Sequence, residues 1–338
     1  MKIAKSVLSV SLTLSATVWF LYGLADANAS PALVSQASAS YAVTQKFELS
    51  GISRWDFITF DEVRSRLFVT RADRVEVLDS KSGELVGTIA DTSGVHGVAV
   101  AQDLKLGFTS NGRADSVTVF DLDSLKTLDT IKVTGANPDA IMYHAPNQSV
   151  YTFNGKTGNI TVINAKSRTV TNTIEVGGKL ELPATDGKNI FVNVEDKATI
   201  AVIDLKTNKV KTSWPLKGCE EPTGLAFDAK NKRLFSVCNN EKMVVTNAKT
   251  GEQVASVAIG AGPDGAAYDP ATHMIFTSNG KAGTVTVIKQ VDANHYRVVE
   301  TVPTEKGAKT SAYDSATKRL FMPTVVADKF MVLVMSPK

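Results

Sequence analysis

Apolar and polar positions alternate along most of this chain in short runs, the period-two pattern of half-buried strands. An aromatic-led segment recurs as Phe68-Val69-Thr70, Phe108-Thr109-Ser110, Tyr151-Thr152-Phe153, Phe191-Val192-Asn193, Phe235-Ser236-Val237, Phe276-Thr277-Ser278 and Phe321-Met322-Pro323, at steps of 40, 43, 40, 44, 41 and 45 residues. A β-branched run follows each one, often ending in Asp or Asn: VEVLD at 75, VTVFD at 117, ITVIN at 160, IAVID at 200, MVVTN at 243, VTVI at 285 and the degenerate FMVLV at 330. Each unit therefore reads as four short strands joined by Gly, Asn, Asp and Lys turns. One such sheet cannot bury both its faces, but seven packed radially can. The pattern predicts an all-β, seven-bladed β-propeller over 41–338, where 298 residues give about 43 per blade. A solenoid would instead need polar caps at both ends. The last repeat stops after its third strand, near Met335, while Val43–Gly51 matches the fourth-strand pattern of Val170–Gly178. The N-terminal strand is therefore predicted to complete the last blade and remove the free edge.

An aromatic-Val-Thr-Asn segment followed by a Val-x-Val-Ile-Asp strand resembles the YVTN-type propeller repeat of periplasmic YncE-like proteins. The motif stands here in degenerate form, as Phe108-Thr109-Ser110-Asn111, Phe276-Thr277-Ser278-Asn279 and Phe191-Val192-Asn193. The resemblance covers essentially all of the chain after its leader and implies an exported seven-bladed propeller. It implies little about activity, since similar repeats occur in binding proteins, surface proteins and some lactonases.

The first residues agree with export. Lys2 and Lys5 precede an apolar stretch from Val7 to Leu24, and Ala25-Asp26-Ala27-Asn28-Ala29 supplies small residues for signal peptidase. Residues 1–29 read as a signal peptide cut after Ala29, and 30–40 as a flexible leader, placing the protein in the periplasm or outside the cell. No later run is long and apolar enough for a membrane span. With 37 Lys and Arg against 34 Asp and Glu, the charge is too balanced for a nucleic-acid or membrane-surface protein. The expected form is a monomer.

Each blade's first strand starts at one face of the disc, and the turn from its second to its third strand returns there. Aligning the segments that lead into the blades places Asp56, His96, Asp139, Glu181, Thr223, Asp264 and Lys309 at one equivalent position, a ring at the channel mouth. Its carboxylates, Asp56, Asp139, Glu181 and Asp264, form a candidate site for a divalent cation, which wants several converging oxygens. The alternative is that each side chain caps its own turn or bonds the backbone of the neighbouring blade. Around the ring, Lys306, Lys309, Arg54, Arg71, Arg74, Arg113 and Lys156 make a basic sector, and Glu181, Glu195, Asp196, Glu220, Glu221 and Glu241 an acidic one. Trp55 is either a stacking platform for a ligand or core packing. On the opposite face, turns such as those at Asp228 and Asp269 read as solvated connectors. The candidate ligand-binding residues are Arg54, Trp55, Asp56, His96, Asp139, Glu181, Glu220, Glu221, Asp264 and Lys309.

Catalytic motifs are absent from the sequence. Gly260–Gly265 fits G-x-G-x-x-G but joins two strands and opens no helix, and no G-x-S-x-G or Walker A sequence occurs. The reading favours a non-enzymatic binding or scaffold protein of the cell envelope, taking a small molecule or envelope protein, with no assigned cofactor. Its alternative is a cation-dependent hydrolase of the lactonase type. Cys219 leads into blade 5 and Cys238 ends that blade's second strand, so both reach the same rim; in an oxidising compartment they are predicted to pair.

Overall fold

The computed structural model describes residues 40–338; the expected signal peptide and, apart from Ser40, the expected leader lie outside the described residues. Twenty-eight strands form seven four-stranded antiparallel sheets. Blade 1 spans 58–89, blade 2 95–132, blade 3 138–175, blade 4 180–215, blade 5 222–258, blade 6 263–303 and blade 7 312–337 together with 41–49. Among the described residues no helix is long and apolar enough to cross a membrane.

The recurring aromatics are the core. Phe68, Phe108, Tyr151, Phe191, Phe235, Phe276 and Phe321 are each fully buried. Five of these rings meet an aromatic of the next blade, as in Phe68 with Phe120 at 5.7 Å, Phe235 with Tyr268 at 5.4 Å and Phe276 with Tyr313 at 5.1 Å. Offset and edge contacts at these separations add to the area buried, so the blades are joined face to face by the repeat's own signature residue.

Where a β-branched run ends in Asp or Asn, that residue holds the outer hairpin. Asp79 Oδ1 accepts the N–H groups of Lys81 and Ser82 at 2.8 Å each, and Asp204 Oδ1 those of Lys206 and Thr207 at 2.9 Å each. The Asn of the degenerate motif is a core residue: Thr109 donates to Asn111 Oδ1 at 2.8 Å, and Asn111 Nδ2 donates to Thr118 at 2.9 Å. The same triad stands at Thr152-Asn154-Thr161 and Thr277-Asn279-Thr286. Asn193 departs from it and bridges to blade 5, donating to the Thr223 and Gly224 carbonyls.

Tyr41–Leu49 lies antiparallel to Lys329–Pro337 as the outer strand of blade 7. Its register slips between Val43 and Gln45, so that Thr44 bulges and donates to the Val334 carbonyl at 3.3 Å. In blade 3 the slip opposite Val162 and Ile163 leaves Thr171 bulged, and Thr171 donates to the Val162 carbonyl at the same 3.3 Å.

The opposite face corrects one sequence expectation. Asp228 and Asp269 are buried, not solvated. Each caps its turn and also accepts from the next blade: Gln290 Nε2 reaches Asp228 at 2.9 Å, Tyr313 OH reaches Asp269 at 3.0 Å, and Lys318 pairs with Asp269 at 3.1 Å. On this face the turn between first and second strands holds one residue per blade in the left-handed region: Ser65, Lys105, Gln148, Gly187, Lys232, His273 and Lys318, at φ between 49° and 83°.

Cys219 and Cys238 form a disulfide with their Cα atoms 5.4 Å apart. It closes a 19-residue separation, so loop entropy allows it about 3 kcal/mol. Thiol counting on denatured, unreduced protein should find no free thiol, and reductant should lower the thermal midpoint. Two free thiols would refute the pairing.

Candidate functional site at the channel mouth

The ring positions share a backbone cause. In blades 2 to 6 the pairing of first and second strands slips between Val95 and Gly97, Pro138 and Ile141, Leu180 and Pro183, Pro222 and Leu225, and Pro263 and Gly265. His96, Asp139, Glu181, Thr223 and Asp264 are bulge residues lifted out of the ladder, and a bulge of this kind re-aims a side chain away from the sheet. In blades 1 and 7, Asp56 and Lys309 precede the first paired residue.

The charged members form a chain of ion pairs running from blade to blade. Lys309 Nζ lies 2.6 Å from Asp264 and 3.7 Å from Asp56. His96 Nδ1 lies 2.6 Å from the other oxygen of Asp56 and 3.5 Å from Asp139. A second group stands on blade 4, where Lys179 pairs with Glu181 at 3.1 Å and also contacts Glu195. Thr223 closes its own gap by donating to the Pro263 carbonyl at 3.0 Å. The charged members thus link side chain to side chain, while Thr223 makes the bond to a neighbouring blade's backbone that the alternative expected.

Burial sets the protonation states. It pushes Asp139 up to about 6, although His96 pulls the other way. Burial lowers the His96 pKa, but the Asp56 hydrogen bond and the Asp139 charge more than offset this, leaving it raised. Glu181 is pushed up to about 10 by burial and by its hydrogen bond to Glu195. Glu195 moves down despite its own burial, because Glu181 and Lys179 both stabilise its charge. The two carboxyl groups thus titrate as a coupled pair, with Glu181 shifted up and Glu195 down.

These side chains open onto a cavity of about 570 Å³ lined by Asp56, Asp139, Lys179, Glu181, Glu195, Glu221, Thr223, Asp264, Lys281 and Lys309, among others. A second cavity of about 320 Å³ adjoins it at Asp56 and is lined by Arg54, Trp55, His96, Arg113 and Asn137. Glu221 reaches the larger one, held by Asn239 Nδ2 at 2.6 Å. Glu220 is exposed at the rim and lines neither. Trp55 packs edge-on against Phe330 at 5.5 Å and also lines the smaller cavity.

Two residues of the expected basic sector are not available to a ligand. Arg71 is fully buried, paired with Glu76 at 2.6 Å, and Arg74 holds the other Glu76 oxygen at 3.0 Å. Burial drives Arg71 to find a carboxylate inside the blade, and Glu76 on the facing strand supplies it. Lys179 was missed by the sequence reading and puts a cation in the middle of the acidic sector. The signal available was its place two residues before Glu181, next to a Gly177-Gly178 pair with φ of 80° and 95°.

Among His, Cys, Asp and Glu side chains in the described residues, Asp56, His96 and Asp139 bring ligand atoms within 4.8 Å of one another. Two carboxylates and an imidazole fit a zinc-like ion better than calcium, which wants oxygens alone. Of the four carboxylates expected to converge, Asp264 is engaged by Lys309, and Glu181 by Lys179.

No protein-family model and no curated protein matches this sequence significantly. Solved structures do match. A chain in the crystal structure of a mitotic checkpoint complex aligns at TM-score 0.77 and 14% identity, over 94% of this chain and 98% of that one. U3-55K aligns at TM-score 0.75 and 11% identity, over 88% of this chain and 100% of that one. A chain of Kuenenia stuttgartiensis hydrazine synthase gives 0.71 and 17%, over 84% and 97%. At such identities the likeness establishes the propeller fold and nothing finer.

Proposed function

We propose that this protein is an exported binding or scaffold protein of the cell envelope that takes a small polar ligand at its channel mouth. One observation carries the reading: five consecutive blades use a bulge to turn a side chain toward the mouth, and four of those side chains are ionisable. Bulges are common next to active sites, where they re-aim a side chain. The repeat's resemblance to periplasmic YVTN propellers and the leader sequence support export.

Native mass spectrometry of the mature protein tests for a co-purified ligand. Asp139→Asn with Asp264→Asn should weaken its retention at least about 10-fold, since charge-assisted hydrogen bonds contribute roughly 1.5–3 kcal/mol each. The variant should remain folded, because both changes keep side-chain shape. Undiminished ligand in a folded variant would place binding elsewhere.

The Asp56–His96–Asp139 cluster favours a second reading, cation-dependent hydrolysis of the lactonase type. A cation held there would polarise an ester carbonyl. Elemental analysis, with calorimetric titration of Zn²⁺, Ca²⁺ and Mg²⁺, separates the two readings. Metal-free protein that gives no heat with any of them excludes the second.

A further inference from the structure

The smaller cavity, between blades 1 and 2, has a chemistry of its own. Arginines elsewhere are mostly satisfied internally: Arg64, Arg71, Arg74 and Arg319 pair with carboxylates, while Arg66 and Arg233 donate to carbonyls. Arg54 and Arg113 are exposed, and among the described residues neither has a carboxylate within ion-pair distance. Both line one recess, beside the Trp55 ring, His96 and Asn137. Asp56, the one carboxylate there, is already held by His96 and Lys309.

The recess is shaped by two glycines. At Gly94, with φ of 69°, a Cβ would fall 2.6 Å from the Arg113 backbone nitrogen. At Gly112 it would fall 2.6 Å from His96 Nε2 and 2.5 Å from Asn137 Oδ1. The backbone carrying Arg113 therefore lies directly against the recess wall, and any larger residue at either place would lift it away.

We propose that this recess binds the acidic group, a phosphate or carboxylate, of a small organic anion whose remainder lies in the larger cavity. The inference rests on the mouth being the binding face. A guanidinium offers paired N–H donors that match either oxyanion, and two that lack internal partners are ready for one. Asp56 lines both cavities, so a ligand anchored in the recess reaches the larger cavity past that side chain.

Calorimetry with inorganic phosphate and with citrate, on the mature protein, tests the site. Saturable binding of either probe is expected, and the probe that binds identifies the acid group. Arg54→Gln and Arg113→Gln should each weaken it about 10- to 100-fold, while Arg297→Gln, on the outer strand of blade 6, should leave it unchanged. No saturable binding of either probe, or equal weakening by Arg297→Gln, overturns the proposal. A co-purified ligand lost with Asp139→Asn/Asp264→Asn but fully retained by Arg54→Gln/Arg113→Gln removes the recess and leaves the larger cavity standing.

Discussion

A chain beginning at Gly51 is expected to be unfolded or aggregated, whereas one beginning at Ser40 folds. The missing strand would expose the hydrogen-bonding edge of Lys329–Pro337, whose partners run from Tyr41 opposite Pro337 to Leu49 opposite Phe330. It would also remove contacts to both neighbouring blades. Buried Tyr41 meets Phe276 of blade 6 edge-on at 5.3 Å, and Phe47 packs so tightly on Gly83 of blade 1 that a Cβ there would lie 2.2 Å from its ring. Glu300 of blade 6 accepts from Tyr41 N at 2.9 Å. Burying Tyr41, Phe47 and Leu49 contributes about 1.5–3 kcal/mol each, an amount comparable with the roughly 5–15 kcal/mol net stability of a whole protein. An unpaired edge also templates aggregation. Circular dichroism melts of the two chains measure the effect; equal midpoints would show that the ring closes without this strand.

Arg71→Met should cost about 3–5 kcal/mol, the usual penalty for removing one partner of a buried pair, and lower the thermal midpoint by roughly 10 °C. Arg71 does more than neutralise Glu76. Its Nε donates to Ser53 at 2.7 Å, its Nη2 to the Gly51 carbonyl at 2.7 Å, and its guanidinium sits 3.8 Å from the centre of the Phe330 ring. It thereby ties the segment leaving the closing strand to blade 1 and to blade 7 at once. Replacing both partners, Arg71→Met with Glu76→Met, should recover part of the loss, because no buried charge is then left unpaired. A single variant that melts within about 2 °C of wild type would show that this junction does not limit stability.

The repeat was legible because the same physical task recurs in every blade. Phe68, Phe108 and their equivalents had to be aromatic to fill the space between blades, and Asp79 or Asp204 had to be a short acceptor to hold a hairpin. The ring was legible for a related reason: the bulge occupies nearly the same place in each first strand, so counting back from the strand's end found it. What failed depended on distant partners. Nothing near Asp269 announces Tyr313, 44 residues on, and nothing near Asp228 announces Gln290, 62 residues on. Arg71 reads as one more surface cation until Phe330 and Glu76 are seen around it, and Lys179 gains meaning only beside Glu195.

The left-handed turns of the opposite face bear on how this molecule divides its labour. Six of the seven positions carry a side chain with a Cβ, from Ser65 to Lys318, where only Gly187 is free of it. Holding an L-residue there costs on the order of 1 kcal/mol apiece, so the ring carries a distributed tension of roughly the size of a small protein's entire net stability. Left-handed residues with a Cβ also stand at the mouth, among them Ala72, Asn137 and Glu221, but there the conformation shapes the cavity walls. The six far-side turns are thus an untapped reserve of stability remote from the mouth, where losses from remodelling the mouth can be offset by glycine, one turn at a time.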